Sequence, residues 1–259
     1  MTINGPTANR VTISGNNLVR VFNINSGATF EVNNLTIAND LVGGAAGGGI
    51  LNNGTLTMTN CTLSNNRAIG DSGGGIVNFG TAGNSVTLNN STLSGNTAGS
   101  VGGGISTTGN PTTLSNSTVS GNSATTSGGG LNSINGGIAT LNNSIIANST
   151  SGGDCTIAAG GGVNATYSLI EDNLTCVNGA NSNNLTGDPN LGVLGNNDGS
   201  TLTHALLAGS IAIDAGNSAL TTDQRGSTRP VNDPNSPNGT GNLADIGAFE
   251  VQASTAAGV

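Results

Sequence analysis

A unit of about 26 residues recurs along the chain, and few folds can use such a unit. "GGGILNNGTLTMTNCTLSNN" begins at Gly47. It returns at Gly73 as "GGGIVNFGTAGNSVTLNNSTLSGN" and at Gly102 as "GGGISTTGNPTTLSNSTVSGN". The motif Asn-x-(Thr/Ile)-aliphatic-(Ser/Ala) falls at Asn34, Asn60, Asn90, Asn116 and Asn143, spaced 26, 30, 26 and 27 residues apart. Weaker copies begin at Val11 and Tyr167, and Gly triplets opening at Gly47, Gly73, Gly102, Gly128 and Gly160 keep the same time. A fixed period of this length marks a stacked repeat, in which each unit buries its apolar face against the next.

Within the unit the alternation is two-fold. Leu56 and Met58 point one way while Thr55, Thr57 and Thr59 point the other, which is strand periodicity. Short strands joined by Gly and Asn turns do not suit a hairpin sandwich, which has no reason to repeat its sequence. The reading is all-β: a right-handed parallel β-helix, or solenoid, over residues 1–187. Each unit is one turn and each strand pairs with its counterpart one turn away. About seven or eight coils are expected, stacked at roughly 4.8 Å.

Register then predicts columns. Ile37, Leu63, Leu93, Val119 and Ile146 stack inside, as do Val32, Met58, Leu88, Leu114 and Leu141. A third column is Ile50, Ile76, Ile105, Leu131 and Val163. Asn34, Asn60, Asn90, Asn116 and Asn143 form a turn column, because Asn tolerates unusual backbone angles and its amide can bond the Asn above and below.

Composition fits a narrow coil. Aromatics are 2% of the chain, charged residues 7%, and 44 residues are Gly. The net charge of −8 argues against nucleic acid or an anionic membrane as partner. No apolar run is long enough to span a bilayer, and the first residues do not read as a signal peptide. Of three cysteines, Cys155 and Cys176 lie 21 positions apart in a less regular region. A disulfide between them is expected outside the cytoplasm, the alternative being two buried thiols.

From about Asp188 the repeat fades, and residues 188–259 are expected to form a capping or anchor-like segment packed on the helix end. The stretches "TLTHALLAGSIAIDAG", "TDQRGSTRP" and "DIGAFE" resemble the C-terminal signature of bacterial choice-of-anchor Q domain proteins. The repeats resemble that family's right-handed β-helix units, akin to polymorphic outer-membrane protein repeats. The resemblance covers nearly the whole chain. It implies a secreted or surface-displayed β-helix and supplies no catalytic residue.

Chemistry is sparse. Asp214, Asp223, Arg225, Arg229, Asp245 and Glu250 concentrate charge in the C-terminal segment. Two carboxylates at a set separation would suit sugar cleavage. The plainer reading has Arg225 and Arg229 tie the segment down by ion pairs to Asp223 or Asp245. Asp40 and Asp71 sit near equivalent loops and are the coils' one candidate catalytic pair. His204 is read as a packed or capping residue. Asp154 and Asp198 stand in Gly-rich turns, but the calcium-binding nonapeptide is absent, so no cofactor is expected and structural calcium is the weaker alternative.

The function expected is therefore a non-enzymatic extracellular or cell-surface solenoid, structural or adhesive, that self-associates end to end into a filament. Glycans or other surface proteins are further partners. The alternatives are a polysaccharide lyase- or hydrolase-like enzyme, and a glycan- or ice-binding solenoid using the column Thr36, Thr62, Thr92 and Thr118.

Overall fold

The structure is a computed structural model that describes residues 1–80 and 83–252. The last seven residues assigned to the C-terminal segment, 253–259, lie outside that range. The described chain is a parallel β-solenoid without helices. Four parallel sheets wrap one interior. Sheet A has eight strands, sheet B seven, sheet C six and the corner sheet D four. One turn runs, for example, through Ile50–Asn52 in sheet C, Thr55–Thr59 in sheet A, Thr62–Ser64 in sheet B and Arg67–Ile69 in sheet D.

About six complete turns are present, fewer than the seven or eight expected. The copies at Val11 and Tyr167 each supply only part of a turn. Sheet C, which counts whole coils, runs from Phe22–Ile24 to Cys155–Ala158.

Two predicted core columns pair in register. Ile37, Leu63, Leu93, Val119 and Ile146 follow one another through sheet B. Val32, Met58, Leu88, Leu114 and Leu141 do so through sheet A. All ten are fully buried. In sheet C, Ile50, Ile76, Ile105 and Leu131 stack as expected, but the next rung is Cys155 and not Val163. Val163 pairs with Ala139 in sheet A. The triplet at Gly160 imitates the repeat's corner, yet it only turns the chain from Cys155–Ala158 into Gly162–Thr166. The corner itself is formed by Gly152 and Gly153, where the amide of Gly129 reaches the Gly153 carbonyl. Cys155 is bonded to Cys176 as a disulfide.

The turn column of Asn34, Asn60, Asn90, Asn116 and Asn143 is left-handed at every rung, with φ from 45° to 55°. Only Gly and Asn hold that conformation cheaply. Its amides join in two pairs only, Asn60 to Asn34 and Asn143 to Asn116. The continuous buried ladder lies at the other end of sheet B's strands. Asn66 Nδ2 donates to Asn96 Oδ1 at 3.0 Å, and Asn96 Nδ2 to Asn122 Oδ1 at 2.9 Å. Each rung's amide oxygen also takes the main-chain N–H of the residue before it in the column.

A serine column runs beside the first turn. Ser91, Ser117, Ser144 and Ser168 each accept the main-chain N–H of the rung before and donate to the carbonyl two residues back, except that Ser117 also approaches Leu88 O. Cys61 heads this column, with its thiol against the carbonyls of Thr59 and Val32, and burial pushes its pKa up to about 11. Cys61→Ser should therefore be tolerated, since a hydroxyl there repeats the bonds of the next four rungs. The thermal unfolding midpoint should match or exceed that of the parent, and a loss of more than about 2 kcal/mol would contradict this placement.

Candidate functional site

The C-terminal segment does not sit on the solenoid's end. It lies along the outer flank of sheet B, and its contacts run over successive coils. Thr201 Oγ1 donates to Asn60 O, Asn90 Nδ2 to Thr222 O, the Ala248 amide to Thr118 Oγ1, and Asn143 Nδ2 to Asp245 O. Gln224 is the central pin: its amide nitrogen, with two hydrogens to donate, lies within hydrogen-bond distance of Cys61 O, Thr62 Oγ1, Thr201 Oγ1 and Leu202 O, and its oxygen accepts from Thr92 Oγ1 at 2.6 Å. The flank suits this cover because its outward residues from Thr62 to Ser120 are hydroxyl-bearing. Beyond them an apolar seam takes over, with Ile145, Ala147 and Leu169 against Leu206, Ile213 and Ile246.

This cover corrects two expectations. Thr36, Thr62, Thr92 and Thr118 are all buried, so that column presents no face to ice or glycan. The segment is a lateral strap and not an end cap, because sheet B's polar flank offers it partners on several coils.

The strap's charges are internal. Arg225 pairs with Asp223 at 2.7 Å and lies over the Phe249 ring. Arg229, fully buried, pairs with Glu250 at 2.7 Å and also donates to Gly247 O and Phe249 O. In place of the expected Asp223 or Asp245, Arg229 takes Glu250; Asp223 is held by Arg225, and the Asp245 carboxylate faces the amides of Asp214 and Val251. Asp245 accepts the amides of Asp214 and Val251, and Glu250 those of Val231 and Asp245. Burial, then the neighbouring Glu250 charge, push Asp245 up to about 7. Burial likewise raises Glu250 and Asp214.

His204 also belongs to the strap. With Nδ1–H donating to Gly192 O at 2.7 Å, Nε2 accepts the Ser94 hydroxyl at 2.9 Å. Burial lowers its pKa, which keeps the imidazole neutral. A serine beside a histidine is the beginning of a nucleophilic site. Here, however, Ser94 is buried beneath the strap, and the pair ties strap to flank.

Asp40 and Asp71 are not brought together. Asp40 occupies the ladder position before Asn66, is fully buried, and accepts the amides of Gly15 and Val21. Burial raises its pKa to about 6. Asp71 lies in the following loop and binds the Ser72 amide. Asp154 and Asp172 bind each other's main-chain amides. Among the described residues no three metal-ligating side chains converge.

The raised carboxylates give a pH dependence. A folded pKa above the unfolded value means the folded chain holds its proton more tightly. That contribution is complete below about pH 4 and is lost as pH rises through the folded value. Asp40 and Asp245 place this window between about pH 4 and 7. Asp233, whose pKa is lowered first by the Asn235 amide, acts in the opposite sense only at lower pH. The melting temperature should rise by several degrees between pH 8 and pH 5, and a fall over that range would contradict the burial described.

The outer face of sheet C carries a surface groove. A groove of about 450 Å³ runs there along the solenoid axis. Its floor is the outward column Leu51, Val77 and Ser106, in register on successive strands. The loops at Asp71 and Val101 form one wall, and Phe79 and Ile134 the other. The sequence did not reveal this groove, although Phe79, an aromatic ring in a chain nearly without them, was its one signal. No protein-family model, curated protein or solved structure matches the chain.

Proposed function

We propose that the protein is a non-enzymatic structural or adhesive β-solenoid of the extracellular space or cell surface. The observation that carries this reading is the use to which its carboxylates are put. Asp40, Asp214, Asp223, Asp245 and Glu250 are fully buried, and each accepts main-chain amides. Acids spent on holding the backbone are not free to move protons for a substrate. The disulfide supports an oxidising compartment. The resemblance of repeats and C-terminal motifs to bacterial choice-of-anchor Q domain proteins supports surface display.

End-to-end association is the second element of this reading. The first strand of each sheet, Thr2–Asn4, Thr12–Ser14, Phe22–Ile24 and Leu41–Gly43, has an edge with no strand neighbour among the described residues. An apolar hollow lined by Phe22, Ile24 and Phe30 opens beside it. Open edges invite another strand, and a contact that does not close builds a filament. Electron microscopy of concentrated purified protein tests this: linear polymers are expected, and a uniform field of 25.0 kDa monomers would overturn it.

A further inference from the structure

We propose that the groove on sheet C binds a neutral polysaccharide chain. The proposal rests on the reading of the protein as a non-catalytic surface solenoid and names what that solenoid holds. The groove's volume, about 450 Å³, lies in the range of ligand sites, and its lining has their character: mostly apolar, with a few placed polar groups. Its floor crosses three coils, Leu51, Val77 and Ser106, so it suits an extended ligand made of repeating units.

Two polar atoms in this column lack partners. Ser106 is 1% exposed, and its hydroxyl has no hydrogen-bond partner among the described residues. On the next strand, in register, Asn132 is equally buried. Its Nδ2 is committed to Thr156 Oγ1, while its Oδ1 has no partner. Buried polar groups left unpaired are rare in a folded chain and call for an explanation. A sugar hydroxyl on the groove floor supplies it for Ser106, which lines the groove while Asn132 does not, and can exchange a bond with the Ser106 hydroxyl.

The Phe79 ring, 53% exposed at the groove wall, offers an apolar face for a sugar ring to cover. Charge selects the class. Asp71 is the one charged residue lining the groove, and the whole chain carries −8, so polyanions are repelled and hydroxyl-rich neutral chains are not.

Isothermal titration of the full chain with the hexasaccharides of cellulose, mannan and xylan tests the proposal, with hexagalacturonate as the anionic arm. The recovered sugars are then sized by chromatography. At least one neutral hexasaccharide should bind. Phe79→Ala should weaken binding about tenfold and Ser106→Ala about fivefold. Val193→Ala, 89% exposed and outside the groove, should leave binding unchanged. Both groove variants should keep the parent's circular dichroism. The proposal is overturned if no neutral hexasaccharide binds, if the groove variants bind as the parent does, or if hexagalacturonate is preferred. Sugars that bind through the groove and are recovered shortened would support the site and overturn the non-catalytic reading. Failure of binding with sugars intact would overturn the site alone.

Discussion

Arg229→Ala should destabilise the protein by about 3–5 kcal/mol, the cost of leaving a buried charge without its partner. Arg229 and Glu250 both have side chains shut off from solvent, and they meet at 2.7 Å. Truncation strands the Glu250 carboxylate with only the amides of Val231 and Asp245, next to Asp245. It also orphans the carbonyls of Gly247 and Phe249. Those two residues flank Ala248, which holds the strap to Thr118. Loosening should therefore spread along the strap, and trypsin should cut after Arg225, whose side chain is only 10% exposed in the parent. Arg229→Lys should recover little, because an ammonium cannot reproduce the guanidinium's fork. The double change Arg229→Met with Glu250→Leu should be milder than Arg229→Ala alone, since it leaves no charge stranded. Chemical denaturation measures all three. A loss below about 1 kcal/mol for Arg229→Ala would show that the ion pair does not hold the strap.

Asn96→Ala should cost a similar amount, about 3–5 kcal/mol, from the middle of the solenoid. Asn96 accepts from the amide and side chain of Asn66 and donates to Leu63 O and Asn122 Oδ1. The alanine variant leaves the buried Asn66 amide without its acceptor and removes the side-chain bonds to Leu63 O and Asn122 Oδ1, while Asn122 Oδ1 keeps the main-chain N–H of residue 96 and Asn66 Nδ2 keeps Ile37 O. Asn33 provides the comparison. Its side chain bonds Asn4 near the surface, so Asn33→Ala should cost roughly 0.5 kcal/mol or less. Equal costs for the two substitutions would deny that the buried ladder is a structural spine.

What the sequence made legible follows from periodicity. A two-residue alternation repeated at near-constant spacing specifies both which side chains face inward and which stack. Ile37 through Ile146 and Val32 through Leu141 therefore fell into register. Val163 did not, because a Gly triplet looks the same at a tight turn as at the repeat's corner. The buried ladder is masked in the sequence for a related reason. Asn66, Asn96 and Asn122 keep the same spacing as Asn60, Asn90 and Asn116, so periodicity alone does not say which Asn of each unit is the buried one. The signal was present in the "SNN", "SGN" and "SGN" that close those units.

The strap was not placeable from sequence at all. Its contacts join residues such as Thr92 and Gln224, 132 positions apart, and nothing periodic connects them. In hindsight the motif residues that carried the family resemblance, His204, Gln224, Arg225, Arg229, Asp245 and Glu250, are the ones that fasten it. Their polar character, compatible in sequence with either a catalytic site or a cap, reflects the hydroxyl-lined flank they cover.

Hydrogen–deuterium exchange with mass spectrometry tests the central claim most directly, that solenoid and strap are one folded body with sheet B sealed between them. Peptides covering Thr92–Ser94, Thr118–Ser120 and Ile145–Ala147 should exchange as slowly as those of sheet A. Peptides around Gln224 and Asp245–Glu250 should open only together with them. Strap peptides that exchange within seconds while the coils remain protected would contradict it.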